Sequence, residues 1–276
     1  MKAPWVLGSV YPTGGTYREL RARCTGLRAG DALRVDEIAC PMADRKLLCI
    51  ELGNPRGPAV SIAAGVHGDE PAGPWALLGL LEERALDPRF NYRIWPCTNP
   101  TGFESRTRVS VDGLDVNRSF DGTGTSPEAR AVLDANRGRA FTLSLDLHED
   151  CDASGFYCYE YGGGAIGRCV IAALDADGFQ IDPLDTTLRL AGPLDDAQCA
   201  RERGRVIADP FAEAALLGGL SYSLAFARGG TRFALTFETP SAASWEKRLR
   251  MHRAAVLAAI AALWKRVEDS ASIPFN

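Results

Sequence analysis

The stretch AAGVHGDEPAG (63–73) places His67 and Glu70 three positions apart, where an apolar run stops. An imidazole and a carboxylate so spaced on a turn can reach one divalent cation, and zinc takes this nitrogen and oxygen pair readily. The chain has 3 histidines, and two of them, His67 and His148, end strand-like runs. FTLSLDLHED (141–150) alternates Phe141, Leu143, Leu145 and Leu147, then delivers His148 at its exit. Two histidines and one glutamate form a known catalytic zinc set with an open fourth position for water. An ion held there would lower the pKa of that water towards ~7. His252, in WEKRLRMHRAAVLAAI, lies in a helical pattern far from any strand exit and is expected to be structural or solvated.

Hydrolysis at such a centre needs a group that takes a proton and returns it to a leaving group. RFALTFETP (232–240) alternates cleanly and presents Glu238 at its end. Glu149, beside His148, is the rival, but alternation along the strand turns it away from the ion. The run TGFESRTRVSVDGLDVNRSFDGTGTSP (101–127) has no sustained period, yet it carries Arg106, Arg108, Asn117 and Arg118 among glycines. That suits a binding loop better than a linker. Arg118 and Asn117 offer a donor fork and an amide for a substrate carboxylate. Arg108 would polarise the carbonyl under attack and stabilise the oxyanion that forms, whereas Arg106 reads as a solvated charge. These parts together describe hydrolysis of an amide next to a free carboxylate.

The elements that must position these groups alternate along the chain. AVSIAAGV (59–66) is short and almost wholly apolar, as a strand buried on both faces is. PAGPWALLGLLEERAL (71–86) follows with Pro in its first turn, a helical signature. Further helices are expected over 16–30, 126–138, in the apolar stretch after the glycines at 162–164, and in the last segment. Strands are expected at 33–40, 46–52, 91–100, 141–150 and 232–240. Residues 180–231 are weakly periodic and allow one strand and one helix. The site groups thus fall at strand exits, the edge where open α/β sheets bind ligands.

Bulk composition narrows the partners. A net charge of −4 with no basic stripe argues against nucleic acid, and no apolar run reaches the ~18 residues of a membrane span. The 8 cysteines are scattered, without zinc-ribbon pairs, and with no convincing export signal they read as reduced, mostly buried thiols of a cytoplasmic protein. Cys151 is near enough in sequence to His148 to approach the site. No Pro/Ser/Gly linker interrupts the pattern, so residues 1–276 are expected to form a single domain.

GVHGDEPAG, then NPTGFESRTRVSVDGLDVNRSF (99–120), then DLHED and TFETP resemble the zinc metallocarboxypeptidase family in order and approximate spacing. The resemblance spans about residues 16–265. It implies a three-layer α/β/α sandwich around a mixed, mostly parallel sheet of about eight strands. It also implies one zinc ion held by His67, Glu70 and His148, with Glu238 as general acid/base. Asn117 and Arg118 would bind the terminal carboxylate and Arg108 the carbonyl. The family's substrate-binding tyrosine precedes the catalytic Glu, and Tyr222 in GGLSYSLAF is the tyrosine of that region. Tyr157, Tyr159 and Tyr161 are read as pocket wall or core. Amidohydrolases of the aspartoacylase and succinylglutamate desuccinylase type share these elements, so N-acyl amino acids are the alternative to peptides. The segment after Glu238 reads chiefly as one helix, which favours the carboxypeptidase arrangement. A catalytically dead binding module would lack a ligand or the acid/base group, and none is missing.

Overall fold

AVSIAA and LSLDLHED alternate small and branched side chains that pack on both faces, and they form the centre of the sheet. In the computed structural model, residues 15–27, 33–41, 43–122, 126–162, 165–184, 199–211, 213 and 219–271 are described. Among them the strands are β1 (Leu33–Ala39), β2 (Lys46–Gly53), β3 (Ala59–Ala64), β4 (Asn91–Trp95), β5 (Leu143–Asp150), β6 (Tyr157–Gly162), β7 (Cys199–Glu202), β8 (Arg205–Ala208) and β9 (Phe233–Pro240). The helices are α1 (Tyr17–Thr25), α2 (Ala72–Glu82), α3 (Pro100–Ser105), α4 (Pro127–Ala135), α5 (Ile166–Ala176), α6 (Tyr222–Arg228) and α7 (Trp245–Ala271).

One sheet joins all nine strands in the order β1-β2-β4-β3-β5-β9-β6-β8-β7. Nine strands thus stand where about eight were expected. The centre, β4-β3-β5-β9, is parallel, as is the β6-β8 pair, while β1-β2, β2-β4, β9-β6 and β8-β7 are antiparallel. Helices α2, α5 and α7 close one face over a large apolar core. The other face carries α4, α6 and the loops of the site, so the expected mixed three-layer sandwich is what forms.

Several expected bounds shift for local reasons. Helix α1 is opened by a capping box, Thr16 with Glu19, and ends at a Gly26 cap, short of Gly30, which lies outside the described residues. The run 101–127 contains α3, capped by the Asn99 side chain, and a single 3₁₀ turn, Val116–Arg118, capped by Asp115. The segment YCYEYG had no strand assigned, yet it forms β6, antiparallel to β9. Between 180 and 231 the described residues hold two short strands and α6, one strand more than expected. No described helix is long and apolar enough to cross a membrane.

Candidate active site

Two glycines shape the turn that carries His67 and Glu70. Gly65 leaves β3 with φ +62, and a Cβ there would crowd Pro74 and Cys97. Gly68 lies so close to α3 that a Cβ would stand 1.9 Å from the Gly102 carbonyl carbon. Asn99 stitches the same region: its amide donates to the Val66 and Arg108 carbonyls at 3.2 Å, while its oxygen caps Gly102. The loop carrying Arg108 is therefore tied to the turn carrying His67.

From the sheet side, β3 and β5 are parallel neighbours, and His148 arrives at the β5 exit beside that turn. His67, Glu70 and His148 are buried, and each offers a ligand atom within 4.8 Å of the others. Glu70 bridges the rings: Oε1 lies 2.6 Å from His67 Nδ1 and Oε2 lies 2.8 Å from His148 Nδ1. Its Oε2 also accepts the Glu149 backbone N–H at 3.0 Å. Burial alone would raise the Glu70 carboxyl, but the two imidazoles outweigh it and hold it well below the usual range.

The outer ring nitrogens each meet another carboxylate. His148 Nε2 donates to Asp146 Oδ2 at 3.0 Å, and His67 Nε2 lies 3.4 Å from Asp115 Oδ1. Burial would push both imidazoles down, yet Glu70 with Asp115 raises His67, and Asp146 with Glu70 raises His148 well above the ordinary value. This arrangement fits a metal. The inner nitrogens converge with a carboxylate, while the outer ones face acids that fix ring orientation and raise ligand basicity. A divalent cation would displace the protons that the acids otherwise hold on the rings.

Asp146 and Asp115 were not singled out in the sequence. The signal was there: Asp146 stands two residues before His148 on the same strand face, and Asp115 two before Asn117. Asp115 organises three neighbours at once. It takes the Asn117 backbone N–H at 2.9 Å and pairs with Arg108 at 3.1 Å besides reaching His67.

Glu238 is the cross-strand partner of His148 on β9, so both side chains leave the same sheet face. It is half-buried and accepts no hydrogen bond among the described residues; desolvation holds its carboxyl well above the ordinary value. Glu149 points the other way, as expected. It accepts the Ala72 N–H at the start of α2 at 2.6 Å and pairs with Arg248 of α7. Arg108 Nη1 reaches 3.3 Å from His67 Nδ1, and its side chain is 45% exposed. Asn117 receives the Tyr222 backbone N–H at 2.9 Å and places Nδ2 3.4 Å from His148 Nε2. Arg118 donates to the Asn117 carbonyl at 2.9 Å and has no ion-pair partner among the described residues.

Tyr222 is a correction. Its ring is 0% exposed, packed on Phe120 and Phe226, and its hydroxyl is 2.6 Å from Ser61 Oγ. A side chain so enclosed cannot cap a substrate; what Tyr222 contributes is the backbone N–H that fixes Asn117. The helical pattern around it, SLAF, put the ring on the inner face of α6. His252 is likewise structural, buried with Nε2 3.1 Å from Thr239 Oγ1. Cys151 is exposed, beside Asp150 and Asp152 and outside the histidine cluster, while Cys24, Cys40, Cys49, Cys97 and Cys158 are buried thiols. Arg106 donates to the Gly15 carbonyl at 3.2 Å and so is not merely solvated.

Residues 56–162 match the succinylglutamate desuccinylase/aspartoacylase catalytic domain. Carboxypeptidase SOL1 of Arabidopsis thaliana is 32% identical over 111 residues, 33% of this chain, and the likeness spans only 23% of that relative. A candidate metallopeptidase from Shewanella amazonensis SB2B superposes with a TM-score of 0.69 at 25% identity, over 90% of this chain and 92% of that one. A metallo-carboxypeptidase from Burkholderia cenocepacia gives 0.65 at 21% identity, over 91% of this chain and 69% of the other.

Proposed function

We propose that the chain is a zinc-dependent hydrolase of an amide bond next to a free carboxylate, a reading supported by its likeness to the desuccinylase/aspartoacylase catalytic domain over 56–162 and to metallopeptidase structures. The observation that carries this reading is the meeting of His67, Glu70 and His148 with Glu238 on the adjoining strand. One zinc ion held by the three ligands would supply Lewis acidity and acidify a water towards neutral pH.

Each remaining role falls to a side chain of the protein. Glu238, poorly solvated and uncommitted, takes a proton from the attacking water and returns it to the leaving nitrogen. Desolvation raises its pKa, the direction that makes the carboxylate a better proton acceptor than an exposed glutamate. Arg108, at the mouth of the cluster, stabilises the negative charge that develops on the carbonyl oxygen. Arg118 and the Asn117 amide hold the substrate carboxylate, and Arg118 has no ion-pair partner among the described residues that would compete for its guanidinium. Asp146 and Asp115 keep the imidazoles aimed at the ion.

A peptide with a free C-terminus is the first substrate class, and an N-acyl amino acid is the second, favoured by the desuccinylase/aspartoacylase match over 56–162. Both present an amide and a carboxylate to the same groups. Dipeptides, N-acyl amino acids and muropeptides assayed with zinc present separate the two. Glu238→Gln is expected to retain zinc while turnover drops ~10²–10⁴-fold, since only proton transfer is removed. Unchanged kcat would end the proposed role of Glu238.

A further inference from the structure

The face of the sheet opposite the His67–Glu70–His148 cluster holds a second set of polar groups. Side chains alternate along a strand, so Glu149 and Thr239, the residues after His148 and Glu238, leave that opposite face as a register pair of β5 and β9. Both meet α7. Arg248 pairs with Glu149, and four residues on His252 places Nε2 3.1 Å from Thr239 Oγ1. Side chains four apart on a helix are about 5–6 Å from each other, close to the ~4.8 Å between neighbouring strands. One face of α7 thus grips both strand exits that carry site groups.

Glu149 links this face to the ligands. Its side chain is 1% exposed, and its Oε1 accepts the Ala72 N–H at 2.6 Å, two residues after Glu70. Its backbone N–H donates to Glu70 Oε2 at 3.0 Å, the oxygen that lies 2.8 Å from His148 Nδ1. Glu70 is therefore fixed twice, by the Glu149 N–H and by the turn that the Glu149 carboxylate ties to β5. A buried carboxylate holds such a place only while its charge is met, and Arg248 meets it. Arg253, on the same helix, is the contrast. It pairs with Glu83, which is 46% exposed, where solvent screens the charge.

We propose that Arg248 is a positioning residue for the metal centre: through Glu149 it holds Glu70 between the two imidazoles, although it lies across the sheet from them. The inference rests on the zinc-hydrolase reading for its purpose, while one arm of its test needs no metal. Arg248→Met keeps an apolar stem beside Trp245 and removes the charge. It is expected to weaken zinc binding about 10–100-fold in competition with a chelator of known affinity. Glu149→Gln keeps the acceptor for Ala72 and needs no counter-charge. The double variant Glu149→Gln/Arg248→Met is therefore expected to bind zinc within about twofold of Glu149→Gln alone. In the metal-free protein, the ring nitrogen resonances of His67 and His148 are expected to shift in Arg248→Met. In the double variant they return to their places in Glu149→Gln.

Wild-type zinc affinity in Arg248→Met overturns the inference. So do losses that simply multiply in the double variant, because Arg248 would then act by packing and not through Glu149. If Arg248→Met does not fold, Arg248→Lys replaces it: the charge stays, the planar fork goes, and a smaller loss is expected that Glu149→Gln again removes. A wild type that takes up no zinc would end the hydrolase reading. The metal-free ring resonances still decide the coupling, and unmoved signals in Arg248→Met overturn it.

Discussion

Asp146 stands behind His148 as Asp115 stands behind His67, one carboxylate to each imidazole. Neither acid reaches the inner nitrogens, so their contribution is to ring orientation and basicity. Removing such a partner typically lowers metal affinity 10–100-fold. Asp146→Asn is therefore expected to weaken zinc binding by about 10–100-fold, measured by competition with a chelator of known affinity. A variant with wild-type affinity would show that β5 alone holds the His148 ring. At the proposed carboxylate clamp, Arg118 has no ion-pair partner among the described residues, and Asn117 accepts the Tyr222 N–H while its Nδ2 lies 3.4 Å from His148 Nε2. Amidating the substrate's terminal carboxylate should cost ~10²-fold or more in kcat/KM, because a charge-assisted bond to Arg118 is lost and the guanidinium is left unpaired. Equal cleavage of free and amidated substrates would rule this clamp out.

At the scale of elements, the turn 65–70 depends on close backbone approach. Gly68 sits against Gly102 of α3, where any side chain collides with backbone that cannot yield cheaply. Gly68→Ala is expected to lose about 3 kcal/mol of stability and to weaken zinc binding with it, read by thermal melts with and without the metal. The strands that carry ligands were legible because their signals are local: β3 is an apolar run, and β5 and β9 alternate up to His148 and Glu238. Strand β6 was not, since YCYEYG follows the turn residues after β5 and its aromatics suit a wall or a core as readily as a ladder. Tyr222 was misread for a related reason. Sequence position placed it in the right region, but only the packing of α6 on Phe120 and Ser61 shows its ring turned inward. Asp115 and Asp146 were overlooked because an acid two residues from a ligand stands out only once the ring it faces is known.

For the molecule as a whole, the buried acid at Glu213 sets a slope in stability against pH. Its folded pKa, about 7, lies above the ordinary 4.5, so the folded chain binds the proton more tightly than the unfolded chain. That contribution is fully present below about 4.5 and is lost as pH rises towards 7. Among the described residues the groups facing it are Tyr161, which donates to it, and the Arg118 charge, and both moderate the loss. Between pH 5 and 8 the wild type is expected to lose up to about 3 kcal/mol that Glu213→Gln retains, seen as converging denaturation midpoints at low pH and diverging ones at high pH. Parallel pH profiles for the two proteins would show that the carboxylate is solvated.

The parallel pairing of β3 with β5, and of β5 with β9, joins stretches far apart in the chain. Closing such long loops is slow, and the order of events follows from it. His148 cannot join His67 and Glu70 until those strands have paired, so the three-ligand set is complete only late in folding. An ion held there would act as a late clasp, expected to lengthen the lifetime of the native state without hastening its arrival.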